Sequence, residues 1–261
     1  GTGSQDEISR LLVKFDLTKA RDLMGSKLNI NSSKFSAKIK LFDVRSGHAT
    51  PSGFTVIAHP LSRSFFEGIG KDVSGFKDLS VANFLTASIV NGSPSTWFKS
   101  GANEEGSMNS NDIDIIGSGT IKSVDYFFYG TQHFKTGDED LSIDVSRAVS
   151  GTLANKLPDL GFRIAFSGSD ETDKKSRFVK RFASRHSSNP MLRPRLEISF
   201  PDYVTDDSHN FYFDVSSTLF LKNSRKSSLE NLIKGGSPVS GVECMNVKLE
   251  KGSFYKIAKA S

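Results

Sequence analysis

Residues Phe178 to Phe200 read FVKRFASRHSSNPMLRPRLEISF, two apolar segments around a polar turn, carrying Lys180, Arg181, Arg185, Arg193, Arg195 and His186. Such a stretch suits a nucleic-acid grip, a catalytic pocket or the surface of a β-sandwich, and side-chain alternation separates the three. Along a strand, successive side chains point to opposite faces. On that period Phe178, Lys180 and Phe182 share one face, while Val179, Arg181, Ala183 and Arg185 share the other. In the second segment Leu196, Ile198 and Phe200 turn inward, and Arg193, Arg195 and Glu197 turn outward. SSNPM (Ser187 to Met191) connects the two, and Pro190 and Pro194 limit ladder donors near its ends. The stretch reads as a closing pair of strands.

The same period runs through the rest of the chain. RLLVKFDL sets Leu11, Val13, Phe15 and Leu17 on one face; AKIKLFDV sets Ile39 and Leu41 against Lys38 and Lys40. FTVIAHPL alternates Phe54, Val56 and Ala58 with Thr55 and His59. LSIDVS offers Leu141, Ile143 and Val145, FRIAFS offers Phe162, Ile164 and Phe166, and VDYFFYG behaves similarly. Short strands spaced by Gly, Ser, Asn and Pro clusters predict an all-β chain, a jelly-roll-like antiparallel β-sandwich. Helical pieces are short: a turn or two in DLTKARDLM after Asp16 or Thr18, loose spacing in KDLSVANFL (Lys77 to Leu85), and Val145 towards Leu153, weakened by Gly151. The Ser-, Gly- and Asn-rich segment from Gly92 to Gly119 reads as a long surface loop, anchored to the sandwich by Trp97 and Phe98.

With 261 residues, 36% of them hydrophobic, the chain can bury a sizeable core, and 21 Phe against 5 Tyr and 1 Trp lean towards pleated structure. GTGS at residues 1–4 reads as an expression-tag scar. The β-sandwich module is placed at residues 5–202. After the polar stretch PDYVTDDSHN, residues 203–261 read as the start of a second β domain, short and incomplete. A single cysteine, Cys244, excludes an internal disulfide framework, and no apolar run of spanning length predicts a membrane contact.

Candidate chemistry is thin. The net charge of +5 permits several partner classes. Lys174, Lys175, Arg177, Lys180, Arg181, Arg185, Arg193 and Arg195 form the densest basic cluster, interleaved with Phe178 and Phe182 as a single-strand-binding surface requires. Alternation turns those rings inward, however, and Asp170, Glu171 and Asp173 offset the charge, so no nucleic-acid partner is expected. Ser184 and His186 lie two apart, but no G-x-S-x-G elbow is present and the five His are scattered without metal-ligand spacing, so no catalytic residue is assigned. GIGKDVSG (Gly68 to Gly75) lacks the spacing of a phosphate loop. No cofactor is expected beyond a structural calcium, for which DETD (Asp170 to Asp173), GDED (Gly137 to Asp140) and DDSHN (Asp206 to Asn210) offer hard oxygen ligands. A carbohydrate site would require an exposed ring, with Trp97 as its one tryptophan.

Four blocks go beyond generic patterning: SRLLVKFDL, FSAKIKLFDV, the SRSFFEGIGKDV segment reaching to Trp97, and FVKRFASRHSSNPMLRPRLEISF. Their order resembles the DNRLRE-type β-sandwich modules, which are also grouped with carbohydrate-binding modules; Phe182, Ser184, Arg185, Arg193, Pro194 and Leu196 match the closing pattern. A closer resemblance, over roughly residues 8 to 225, is to tailed-bacteriophage virion structural proteins that carry such a module. It is most specific at Glu67 to Val73 and Phe178 to Arg185. Two departures stand out: no strand convincingly precedes Ser9, and the second β domain is cut short unless another chain completes it.

The resemblance implies a non-enzymatic structural protein located in a virion, in a tail, baseplate, fibre or capsid surface. Other virion proteins would be its partners, and self-association would be allowed. Arg181, Arg185, Arg193 and Arg195 are the expected protein contacts. The alternative is a carbohydrate-binding module used in host adsorption, with a cell-surface glycan on Trp97.

Overall fold

The computed structural model describes residues 8–24, 28–44, 52–68, 81–172, 180–200, 204–206, 218, 220–225, 228–229, 231–234, 237–252 and 254–260. The chain divides into two compact units between Phe200 and Pro201. The fold is all-β: strands dominate and the helices are short. In chain order the first unit contains β1 (Leu11–Val13), α1 (Thr18–Leu23), β2 (Ser36–Leu41), β3 (Phe54–Pro60), β4 (Thr86–Val90), β5 (Ser93–Thr96), β6 (Glu105–Ser107), β7 (Ile115–Ile121), β8 (Val124–Phe127), β9 (Gly130–Phe134), β10 (Leu141–Asp144), α2 (Ser146–Leu153), β11 (Phe162–Phe166), α3 (Ser169–Thr172), a 3-10 turn (Pro190–Leu192) and β12 (Arg195–Ser199).

A four-stranded antiparallel sheet in the order β1-β11-β3-β9 faces a three-stranded one in the order β10-β2-β12. Alternation explains which side chains meet between them. Ile39 and Leu41 of β2 and Leu141 and Ile143 of β10 come from one sheet; Phe54, Val56, Phe134, Phe162 and Ile164 come from the other, and all belong to one buried cluster. Phe54 stacks on Phe134 at 4.9 Å and takes the edge of Phe166 at 5.3 Å, geometry that adds to simple area burial. α2 closes one end with Ala148, Val149 and Leu153. Its Gly151 is no mere weak point, because a Cβ there would lie 3.0 Å from Leu157 Cδ1. The described pairing thus defines a sandwich of four strands against three.

Several expectations need correction. Leu11 is 43% exposed, since β1 lies at the end of its sheet. Residues 81–85 are not helical and lead into β4, while 77–80 lie outside the described residues. Residues 92–119 are not a surface loop. They carry β5, β6 and most of β7, and they bury Trp97, Ala102, Ile113, Ile115 and Ile116. The small residues that suggested a loop allow close approach instead: a Cβ on Gly119 would lie 2.4 Å from Met108 Cγ. Phe178 and Val179 lie outside the described residues; residues 180–186 form no strand, only Phe182 among them bridges, to Asp43, and β2 takes β12 as its neighbour. Leu196 and Ile198 do pack on the core, as their spacing predicts.

The second unit holds β13 (Val204–Asp206), β14 (Leu221–Arg225), β15 (Ser228–Leu229), β16 (Ile233–Lys234), β17 (Ser237–Pro238), β18 (Met245–Lys251) and β19 (Phe254–Ala260). Its sheets are β13-β14-β15, β16-β17 and β18-β19, all antiparallel.

Candidate functional site

The outer face of the four-stranded sheet is where the polar chemistry of the first unit collects. Segment 81–116 lies over it. Leu61, Ala87, Trp97, Ala102 and Ile115 form a second small core, with Leu12, Phe65, Ala82 and Leu160 packed around it. A bridge between Leu61 and Ile115 ties the segment to the end of β3. Asp114 holds the segment's shape: fully buried, it accepts the Phe98 N–H (2.9 Å), the Lys99 N–H (2.9 Å) and the Glu104 N–H (3.0 Å). A carboxylate taking three backbone donors satisfies groups that would otherwise be costly to bury.

Beneath this cover lie His59 and Arg163, paired across β3 and β11 and only 4% and 3% exposed. Arg163 donates through one Nη2 to Asn103 Oδ1 (2.7 Å) and to Glu171 Oε1 (3.3 Å). Arg10 Nε donates to the same Glu171 oxygen at 2.7 Å, and its Nη1 reaches the Ser100 and Gly101 carbonyls at 3.1 and 2.9 Å. Two guanidinium groups and one carboxylate therefore clamp the 99–103 turn to the sheet. Burial, with the neighbouring charge of Arg10, pushes Arg163 down to about 10 even though Glu171, Glu105 and Asp114 oppose the shift. Burial and then the Arg163 charge push His59 down to about 4, so its ring is neutral at ordinary pH. His59 Nδ1 and Arg163 Nε have no hydrogen-bond partner among the described residues.

At the rim the arrangement opens outward. His59 Nε2 lies 3.8 Å from Glu105 Oε2, and the His59 ring lies 5.3 Å from Tyr129. Tyr129 in turn neighbours Phe127 at 5.6 Å. Phe127 is 60% and Tyr129 38% exposed, so a carboxylate and two open rings share one patch. Its chemistry is that of contact: ring stacking and hydrogen bonding.

A second buried polar centre sits at the other sheet. Lys180 Nζ donates to Asp43 Oδ1 (2.8 Å) and the Glu139 carbonyl (2.7 Å), between the rings of Phe134 (5.0 Å) and Phe182 (4.9 Å). The Glu139 carboxylate accepts the N–H groups of Lys135, Thr136 and Gly137. Burial opposes ionisation of Glu139, but those backbone bonds together hold it down at about 2. The Asp140 carboxylate accepts the Asp43 N–H at 2.7 Å, and the Asp170 carboxylate accepts the Thr55 N–H at 2.7 Å. Of the carboxylates proposed from sequence as calcium ligands, Glu139, Asp140 and Asp170 thus bond to the backbone, Glu171 to Arg10 and Arg163, and Asp138 to the Thr136 hydroxyl. Among the described residues no three His, Cys, Asp or Glu side chains gather as a metal site. Asp173 and residues 207–210 lie outside the described residues.

The arginines expected from sequence to make protein contacts lie in the first unit, in and before β12. Arg181 is exposed, and Arg185 is exposed and pairs with Glu67 at 2.9 Å. Arg193 Nε donates to the Ser187 carbonyl at 3.1 Å; Arg195 Nε donates to Glu197 at 3.0 Å, with its guanidinium 4.7 Å from the Phe42 ring. Ser184 Oγ accepts the His186 N–H, so that pair makes a turn. Lys174, Lys175 and Arg177 lie outside the described residues. Trp97 is corrected outright as a glycan platform: it is 5% exposed and donates Nε1–H to the Asn83 carbonyl at 2.9 Å. Its neighbour Phe98 is the exposed ring of the two, covered by the Arg63 guanidinium at 4.2 Å. Sequence reasoning missed His59, Arg163 and Asp114, whose one legible signal was polar residues set inside apolar alternation.

No family model, curated protein or solved structure matches this chain.

Proposed function

We propose that this chain is a non-enzymatic structural protein of a bacteriophage virion, acting through assembly contacts between β modules. The observation that carries the reading is the exposure of large apolar side chains on the short strands and turns of the second unit. Leu229 is 74%, Ile233 57%, Val242 89%, Tyr255 65% and Ile257 60% exposed. Apolar side chains left in water on short, paired strands are surface waiting for a protein neighbour. The resemblance read in the SRSFFEGIGKDV and FVKRFASR blocks supports a neighbour in the virion. The jelly-roll order belongs to this proposal too. Antibodies against the full chain should decorate purified phage particles in electron micrographs; labelling confined to soluble lysate would reject the reading.

A carbohydrate-binding role in host adsorption is the second reading, and the exposed Phe127 and Tyr129 beside Glu105 favour it. The platform moves there from Trp97. Glycan-array binding lost in Phe127→Ala and Tyr129→Ala would support it, and a chain that binds no glycan would remove it.

A further inference from the structure

We propose that two copies of this chain associate through β18, edge to edge and antiparallel, with Lys248 of each copy opposite Glu250 of the other. The inference rests on the reading of the second unit as an assembly element and specifies its partner as a second copy.

β18 and β19 pair along their whole length, from Met245 with Ala260 to Lys251 with Phe254. Among the described residues neither strand pairs with any other. A two-stranded ribbon by itself is marginal in water, and among the described residues both of its edges present N–H and C=O groups with no neighbouring strand. One ribbon face carries Met245, Val247 and Leu249 opposite Ala260 and Ala258, apart from the Leu249–Lys256 pair; the other sets Lys248 against Ile257 and Glu250 against Tyr255.

The two edges differ in self-complementarity. β19 carries Lys256 and Lys259, the latter paired with Glu243 at 2.6 Å, and no acid within the strand, so a second copy of β19 at that edge offers its lysines no carboxylate. β18 carries Lys251, which a register centred on Leu249 sets opposite the uncharged Val247, and Lys248 and Glu250, two residues apart and therefore on one face, where they pair at 2.9 Å within the chain. An antiparallel copy centred on Leu249 sets Lys248 opposite Glu250 twice, by two-fold symmetry, and Leu249 opposite its own counterpart. The resulting four-stranded sheet runs β19-β18-β18-β19, with both inner edges paired and the outer edges carrying lysine. Lysine on an outer edge is a common way of stopping further strand addition.

The test uses the full 261-residue chain in sedimentation velocity over a series from roughly micromolar to millimolar. Wild type should pass from monomer to dimer within it. Lys248→Glu alone, or Glu250→Lys alone, places like charges opposite each other at both contacts and should weaken association by about tenfold or more. An equimolar mixture of the two variants should associate like wild type, because Lys then faces Glu at both contacts between unlike copies. Neither variant has the pair within its own chain, so recovery in the mixture reads the contact between chains alone. A monomer throughout the series, a dimer indifferent to the single variants, or a mixture no tighter than its components would overturn the proposal. A monomeric chain that still labels particles would leave the virion reading standing, whereas a dimer absent from particles would do the reverse.

Discussion

His59 and Arg163 face each other across β3 and β11 as direct strand partners, both almost wholly buried beneath the segment anchored by Asp114. Two groups that carry positive charge when protonated share this site, and only one of them is charged at neutral pH.

That relationship makes stability depend on acid. The folded pKa of His59 is depressed to about 4 from an ordinary 6.5, so below pH 6.5 the unfolded chain binds the proton that the folded chain refuses. Stability contributed by the neutral ring is present above pH 6.5 and falls as pH drops towards 4, by roughly 3 kcal/mol at most. Urea unfolding at a series of pH values should show this slope in wild type and lose it in His59→Gln. An identical slope in both proteins would assign the titration elsewhere.

Asp114→Ala strands three part-buried backbone donors at Phe98, Lys99 and Glu104. A loss of about 3 to 5 kcal/mol is expected. Hydrogen exchange should accelerate first at those three amides, and limited proteolysis should cut between Phe98 and Ile113.

Trp97, the chain's one tryptophan, reports on the same segment. Its emission should be blue-shifted in the native protein, as for a buried indole, and shift red in Asp114→Ala. Trp97→Ala should lower stability by about 3 to 5 kcal/mol. An emission already typical of exposed indole would contradict the burial.

Lys180 and Asp43 should be strongly coupled, because the lysine side chain is 4% and the aspartate side chain 14% exposed at a separation of 2.8 Å. Removing either partner leaves a charge without its counter-ion. Lys180→Ala is expected to cost about 3 kcal/mol, and the double-mutant cycle with Asp43→Ala should return about 1 to 3 kcal/mol of coupling. By contrast Arg185→Ala removes a surface pair with both side chains more than half exposed, and thermal melting should change little.

Period-two alternation in AKIKLFDV and LSIDVS was enough to place Ile39, Leu41, Leu141 and Ile143 in one core, because a pleated strand has only two faces to offer. It also put His59 on the face opposite Phe54 and Val56. What alternation cannot tell is whether the second face meets water. Here segment 81–116 covers it, so a polar position became a buried one. Nor does it say whether an alternating run will find a ladder: residues 180–186 alternate, yet Lys180 turns its ammonium onto Asp43 and only Phe182 bridges.

The sequence by itself determined the all-β class and the inward residues of the main strands, since both follow from local spacing. Only the tertiary structure decided the burial of His59, Arg163 and Asp114, and that Trp97 rather than Phe98 is the buried ring of its pair. Their partners come from Glu171, Asn103, residues 98–104 and Asn83, some of them distant in sequence. Burial of a polar side chain is settled by what packs over it, and that neighbour is chosen by the fold as a whole.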